Sequence, residues 1–221
     1  MRRWLKIVVW TVAAVLLLAG VAGVALYRAA GHVPEFYQQA FNVEPAQQQA
    51  ASEVMIKRAT DLASDVQKSG PWQATFTAAE VNGWLAVDLV KNHAGMLPGT
   101  ISDPRVAITP EAVDVACRYR DGRINTVLSL SVDVYLEGPN VVAVRVRRAR
   151  AGALPLPLDD VLKQIARATD RLEWRIEWRQ ADGDPVALVS IPPPRDKHRR
   201  VMQLETLRLG NCEIHVAGTT K

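Results

Sequence analysis

An uncharged apolar run near the start constrains this chain more than any other feature. Ile7 to Tyr27 is 21 residues without a charge, with Arg2, Arg3 and Lys6 before it and Arg28 after it. As a helix, such a run crosses a hydrocarbon core of about 30 Å, and a helix satisfies its own backbone hydrogen bonds where water is absent. Trp4, Trp10 and Tyr27 lie toward its ends, where aromatic rings favour the headgroup level. Three basic residues precede the run and one closely follows it, so the positive-inside rule puts the N-terminus in the cytoplasm and the rest of the chain outside. The competing reading is a cleaved secretory signal with Gly23-Val24-Ala25 as its small-residue site. The run exceeds the roughly 7–15 apolar residues of such signals, so an uncleaved anchor is expected; either way the same domain is exported.

The expected organisation is therefore a cytoplasmic N-terminus at 1–6, a transmembrane helix at 7–27, a juxtamembrane stalk at 28–44 and one extracytoplasmic domain at 45–221. The full chain carries 27 Lys and Arg against 23 Asp and Glu. Four of those basic residues and none of the acidic ones fall in the first 28 positions, so residues 29–221 hold 23 of each. The basicity belongs to the anchor, and an electrically balanced exported domain argues against a nucleic-acid partner.

In the stalk, Phe36, Tyr37 and Phe41 suit the membrane surface and the domain equally well. Pro45 opens a helix, because proline fits the first turn, and Ala51, Val54, Met55, Ala59, Leu62 and Val66 recur at helical spacing to about Lys68. Gly70-Pro71 stops it, and Trp72 to Phe76 reads as a short strand or an extended link. Thr77-Ala-Ala-Glu80 spells a capping box ahead of a mostly buried helix that runs to about Lys91. From Pro104 the apolar period falls to two. Alternating runs cover Val106–Ile108, Val113–Tyr119, Val127–Leu136, Val142–Val146, Trp174–Arg179, Val186–Ile191, Leu204–Leu209 and Cys212–Val216, with turn signals at Asp121-Gly122, Gly138-Pro139-Asn140, Asp182-Gly183 and Gly210-Asn211. That pattern describes antiparallel hairpins rather than parallel βαβ units. One helical interval, 158–171, interrupts it behind the proline-stiffened link Leu154-Pro-Leu-Pro-Leu158. The expected fold class is α+β: the anchor helix, then one domain with a long, mostly antiparallel, curved sheet packed on two or three helices.

The sequence carries little that reads as catalysis. There is no G-x-S-x-G, no H-E-x-x-H and no P-loop, and His32, His93, His198 and His215 stand in unrelated settings. Asp159 and Asp160 suit a helix start, and Asp182 and Asp184 flank a turn glycine. No enzymatic activity, cofactor or metal is expected. An oxidising compartment would permit a disulfide between Cys117 and Cys212; alternation puts Cys117 with Val113 and Val115 and Cys212 with Ile214 and Val216, which fits two buried free thiols equally. Arg145, Arg147, Arg148 and Arg150 form the densest basic stretch. Of these, Arg145 and Arg147 are the candidates for anionic headgroups. Leu154, Leu156, Leu158, Val161, Leu162 and Ile165 are the candidate lining of an apolar groove between sheet and helix.

The N-terminal anchor, the helix start Phe76-Thr-Ala-Ala-Glu-Val-Asn-Gly-Trp-Leu85 and the strand block leading into Gly152-Ala-Leu-Pro-Leu-Pro157 resemble the YpmS-like group of bacterial single-pass membrane proteins, over about residues 1–192. The strand-plus-helix pattern is also similar to TULIP-type lipid-binding domains, in which a curved sheet wraps a helix around acyl chains. The resemblance implies a single-pass protein of the bacterial inner membrane with a lipid-handling domain outside it, and it transfers no catalytic residues. The expected function is a non-enzymatic module binding lipid or another apolar ligand at the cell envelope, with membrane lipid as its partner. The alternative is a structural scaffold subunit of an envelope complex, which implies a protein partner.

Overall fold

A computed structural model of the chain describes residues 23, 25, 27–122, 124–158, 162, 175–192 and 201–221. Among these no helix is long and apolar enough to cross a membrane. The expected span at 7–27 lies outside them apart from Gly23, Ala25 and Tyr27; these three are helical, and the helix continues to Ala30.

The described part is α+β with antiparallel sheets, as the alternating runs require. Helix α1 (Glu35–Phe41) and helix α2 (Pro45–Val66) precede strand β1 (Gly70–Thr77), after which come α3 (Ala78–Ala86) and the short α4 (Asp88–Asn92). The remaining strands are β2 (Ile101–Ile108), β3 (Val113–Asp121), β4 (Ile124–Gly138), β5 (Val141–Ala151), β6 (Leu154–Pro155), β7 (Arg175–Ala181), β8 (Asp184–Ser190), β9 (Met202–Gly210) and β10 (Glu213–Thr220). The single long sheet expected from sequence divides in two. Seven strands follow the order β2-β3-β4-β5-β8-β7 with β6 added beside β5, and a separate sheet has the order β1-β10-β9.

The smaller sheet explains why β1 reads so weakly in sequence. Its partner, β10, lies about 140 residues away, pairing Gly70 with Thr220 and Thr77 with Glu213. Trp72 is buried there against Met202 and Leu204. Its indole N–H donates to Thr220 Oγ1 at 3.1 Å, and that hydroxyl donates to the Val66 carbonyl at 2.8 Å. The relay occupies a carbonyl in the last turn of α2, where four carbonyls lack a partner within the helix.

Helices α2 and α3 approach backbone to backbone at Gly83. A Cβ on Gly83 would lie 2.7 Å from the Gln48 carbonyl oxygen and from the Ser52 amide nitrogen, so only glycine fits this contact. The capping box is complete: Thr77 Oγ1 accepts from the Glu80 amide at 3.2 Å, and the Thr77 amide donates to Glu80 Oε2 at 2.9 Å. The other Glu80 oxygen receives Arg58 from α2 at 2.8 Å. Asn82 on α3 then grips the backbone of β2, donating to the Val106 carbonyl and accepting from the Val106 amide, both at 2.8 Å. An amide side chain is a peptide group in miniature, so it pairs an edge strand as another strand would.

The axis of the larger sheet is the β4–β5 hairpin, closed by Asn140 at φ +60°. From Leu128 to Asn140 it extends about 40 Å at ~3.3 Å per residue. One end of this hairpin meets the smaller sheet through Asn140, and the other meets the chain that leaves the N-terminal helix.

Candidate functional site

The N-terminal helix is fastened to the open end of the hairpin. The Ala29 carbonyl accepts from the Ala153 amide at 2.7 Å, and the Ala30 carbonyl accepts from the Thr126 hydroxyl at 2.7 Å. Gly152, between β5 and β6, has φ +61°, and a Cβ there would stand 2.4 Å and 2.5 Å from those two carbonyl oxygens. Helix C-terminal carbonyls need partners, and here the β5–β6 turn and β4 supply them.

Residues 31–41 then cross one face of the larger sheet rather than standing off as a stalk. Tyr37 is 2 % exposed, packed with Ala116 and Val127, with Val33 and Phe36 alongside. Its hydroxyl donates to the Asp103 carbonyl at 2.9 Å. Burial, aided by the Asp103 charge, pushes the phenol above its ordinary pKa. The Phe41 ring stacks on Tyr37, and the guanidiniums of Arg105 and Arg118 lie over it, 5.4 Å and 5.3 Å from its centroid. Each such contact is worth about 0.5–1 kcal/mol or more when shielded from water. Burial lowers the Arg105 pKa, with Tyr37 and Asp103 acting against it. All three aromatics of the segment thus belong to the domain face.

The crossing segment is flanked by two hollows. One, of about 210 Å³, is lined by His32, Pro34 and Phe36 of the segment and by Asp114, Ser129, Ser131, Arg148, Arg150 and Gly152 of the sheet, with Leu130. The other, of about 380 Å³, is lined by Gly31, Val33 and Tyr37 with Arg118, Arg120, Asn125, Thr126 and Val127. Four arginines therefore surround the exit of the helix, although they come from positions 118 to 150.

A β-bulge decides which arginines these are. Asp133 pairs Arg145 and Val132 pairs Val146, but Ser131 pairs Arg148, leaving Arg147 as the extra residue. A bulge sets two residues of one strand against one of its partner. Arg145 and Arg147, the residues expected to meet headgroups, are held by carboxylates. Arg145 reaches Asp182 at 2.8 Å and the Ala181 carbonyl at 3.1 Å, while Arg147 reaches Asp133 at 2.6 Å and Asp184 at 3.6 Å. Hydrogen bonds to Asp182 and Asp133 raise the pKa of Arg145 and Arg147 respectively. Arg148 and Arg150 follow the bulge, are exposed, and have no ion-pair partner among the described residues. Sequence spacing alone did not separate the two pairs, because strict alternation has no place for the extra residue.

The expected apolar lining is only partly described. Leu154, Leu156 and Leu158 are half-buried and alternate with exposed Pro155 and Pro157, and Leu162 is half-buried. The Leu156 amide donates to the Ala149 carbonyl at 2.9 Å, so the link lies back along β5. Val161 and Ile165 fall outside the described residues, as does most of the expected helix 158–171.

The cysteines do not pair. Both are free, with Cys117 half-buried and Cys212 exposed. Cys212 is not an inward strand residue: it sits in the β9–β10 turn at φ +61°, its amide donating to the Ile108 carbonyl at 3.0 Å. Ile108 pairs Val113, and Cys117 is four residues further along β3. That offset is about 13 Å, against the roughly 7 Å limit between Cα atoms for a disulfide. Burial pushes the Cys117 thiol up to about 11.

Among the described residues no group of His, Cys, Asp and Glu could hold a metal ion. No protein-family model, no curated protein and no solved structure matches this chain.

Proposed function

We propose that this chain is a non-enzymatic module held at the outer face of a bacterial inner membrane by its N-terminal helix, and that it binds membrane lipid there. One observation carries the reading. Ala29 and Ala30, two and three residues beyond the apolar run, are bonded to Ala153 and Thr126 and pressed on Gly152. If the run spans the bilayer, the β5–β6 turn and the link Leu154–Leu158 come to the headgroup layer with it. Half-buried leucines and exposed prolines suit that boundary, and the arginines at the helix exit suit its charge. The likeness to TULIP-type domains agrees in ligand class.

The test uses the full chain in lipid nanodiscs, with an environment-sensitive fluorophore on a cysteine at position 156 or at position 183 and both native cysteines replaced by alanine. Asp182, beside Gly183, holds Arg145. Arg145 is seven residues up β5 from Gly152, or roughly 23 Å. Headgroup-labelled lipid is expected to quench the probe at 156 strongly and the probe at 183 little. Equal quenching, or none at 156, would overturn the reading; a scaffold subunit without lipid contact gives the second result.

A further inference from the structure

We infer that the hollow beside the anchor is a seat for the phosphodiester of an anionic phospholipid, gripped by Arg148 and Arg150. The inference rests on the membrane reading above and names the ligand of its site.

The hollow has what a phosphate group needs. Arg148 and Arg150 are two residues apart on β5, past the bulge, and so project from the same face. Guanidinium groups match phosphate oxygens with paired N–H donors. Ser131 pairs Arg148 and Ser129 pairs Arg150, so a hydroxyl stands beside each cation on the same face. Ser131 is buried, and it makes no side-chain hydrogen bond among the described residues. His32 closes the hollow from the crossing segment.

The charge on the rim favours an anion without abolishing selectivity. Asp114 is the single carboxylate lining the hollow. It pairs Ser131 on the side away from Arg148, two strand spacings or about 10 Å from that arginine's backbone, and forms no ion pair with it among the described residues. Two guanidiniums against one carboxylate leave a net positive seat, whereas the Arg145 and Arg147 charges are already neutralised by three aspartates. Gly152 lines the same hollow and touches the last helical carbonyls, so the ligand nearest at hand is a headgroup of the membrane that holds the helix.

The test compares the full chain with R148Q/R150Q in nanodiscs of phosphatidylcholine alone or mixed in equal parts with phosphatidylglycerol, with lipid retained on the released protein read by native mass spectrometry. Phosphatidylglycerol should be kept in preference to phosphatidylcholine, and the double variant should lose about tenfold or more of that retention. R148K/R150K, which keeps the charge but not the paired donors, should fall between the unaltered chain and the glutamine variant; retention equal to that of the glutamine variant overturns the part played by charge, and full retention overturns the paired grip. D114N, which removes the opposing charge and leaves both arginines in place, should raise it several-fold and does not depend on the glutamine variant folding well. Retention unchanged in R148Q/R150Q or in D114N, or equal retention of the two lipids, overturns the inference. Inorganic phosphate, followed by its phosphorus resonance, is the soluble competitor: binding of free phosphate by a chain that keeps no phosphatidylglycerol overturns the lipid source. Loss of preference with the position-156 probe still quenched sinks this seat alone, while loss of that quenching sinks the membrane reading beneath it.

Discussion

Asn140 clasps the backbone of Leu204. Its side-chain oxygen accepts from the Leu204 amide at 2.7 Å, and its side-chain nitrogen donates to the Met202 carbonyl at 2.7 Å. A hairpin turn of one sheet thereby closes the free edge of the other, and the Asn140 carbonyl also takes the Ile191 amide at 2.9 Å. Edge strands invite pairing with foreign chains, and here an asparagine blunts each of two edges, Asn140 on β9 and Asn82 on β2.

Substituting Asn140 separates two effects. N140G keeps the backbone freedom that φ +60° demands but loses both side-chain bonds and leaves the Leu204 amide without a partner. It should cost about 2 kcal/mol, and N140A about 1 kcal/mol more for left-handed strain. Urea denaturation gives the totals, and hydrogen exchange should show the Leu204 amide losing protection in both. An unaltered exchange rate at Leu204 would show that the clasp is not what joins the sheets.

Gly152 sets how firmly the N-terminal helix is held. In G152V a Cβ would overlap the Ala29 and Ala30 carbonyls, at a residue with φ +61°. The expected loss is about 2–3 kcal/mol from strain, with the helix end released from the turn. A spin label at position 27 should report that release as a narrower spectrum while far-UV circular dichroism of the domain stays native. An unchanged spectrum in a folded variant would mean that the helix is held elsewhere.

The cysteines predict a pH dependence with a definite sign. The ordinary thiol value is 9.0, and the folded Cys117 is pushed up to about 11. Below about pH 9 both states keep the proton and the contribution is full. Between about 9 and about 11 the unfolded chain releases it first, so stability falls by up to ~3 kcal/mol as pH rises. C117A should flatten that decline, with the slope from Tyr37 at higher pH retained. Alkylation of the native protein should mark exposed Cys212 quickly and Cys117 slowly. Equal rates, or no free thiol, would contradict the burial assigned to Cys117 and its separation from Cys212.

Local signals carried most of the elements. The capping box at Thr77–Glu80 forms as spelled, α2 ends within two residues of its expected end, and the turns at Asp121-Gly122, Gly138-Asn140 and Asp182-Gly183 each join the strands they should. Long-range pairings did not show. Nothing local marks β1 as a neighbour of β10, and Gly70-Pro71, read as a helix stop, also begins that strand. The turn falls at Asn211-Cys212, one position beyond the Gly210-Asn211 signal, which takes Cys212 out of the strand. At the site, the arginine-rich run was visible, but the bulge that divides it into held and unheld pairs comes from register with β4, which no spacing within β5 reveals. The basic collar at the helix exit is likewise made by folding: Arg28 is near in sequence, whereas Arg118, Arg120, Arg148 and Arg150 arrive through the sheet.

The central seat of β10 between β1 and β9 has a temporal side. A ribosome delivers α2 and β1 long before residues 213–220, so Trp72 waits without the hydroxyl of Thr220, and β1 without its sheet neighbour, while more than a hundred further residues emerge. Helix α2 and the smaller sheet can therefore lock only after the final strand arrives. Until then the flank of β1 that β10 will cover stays open to pairing with other chains.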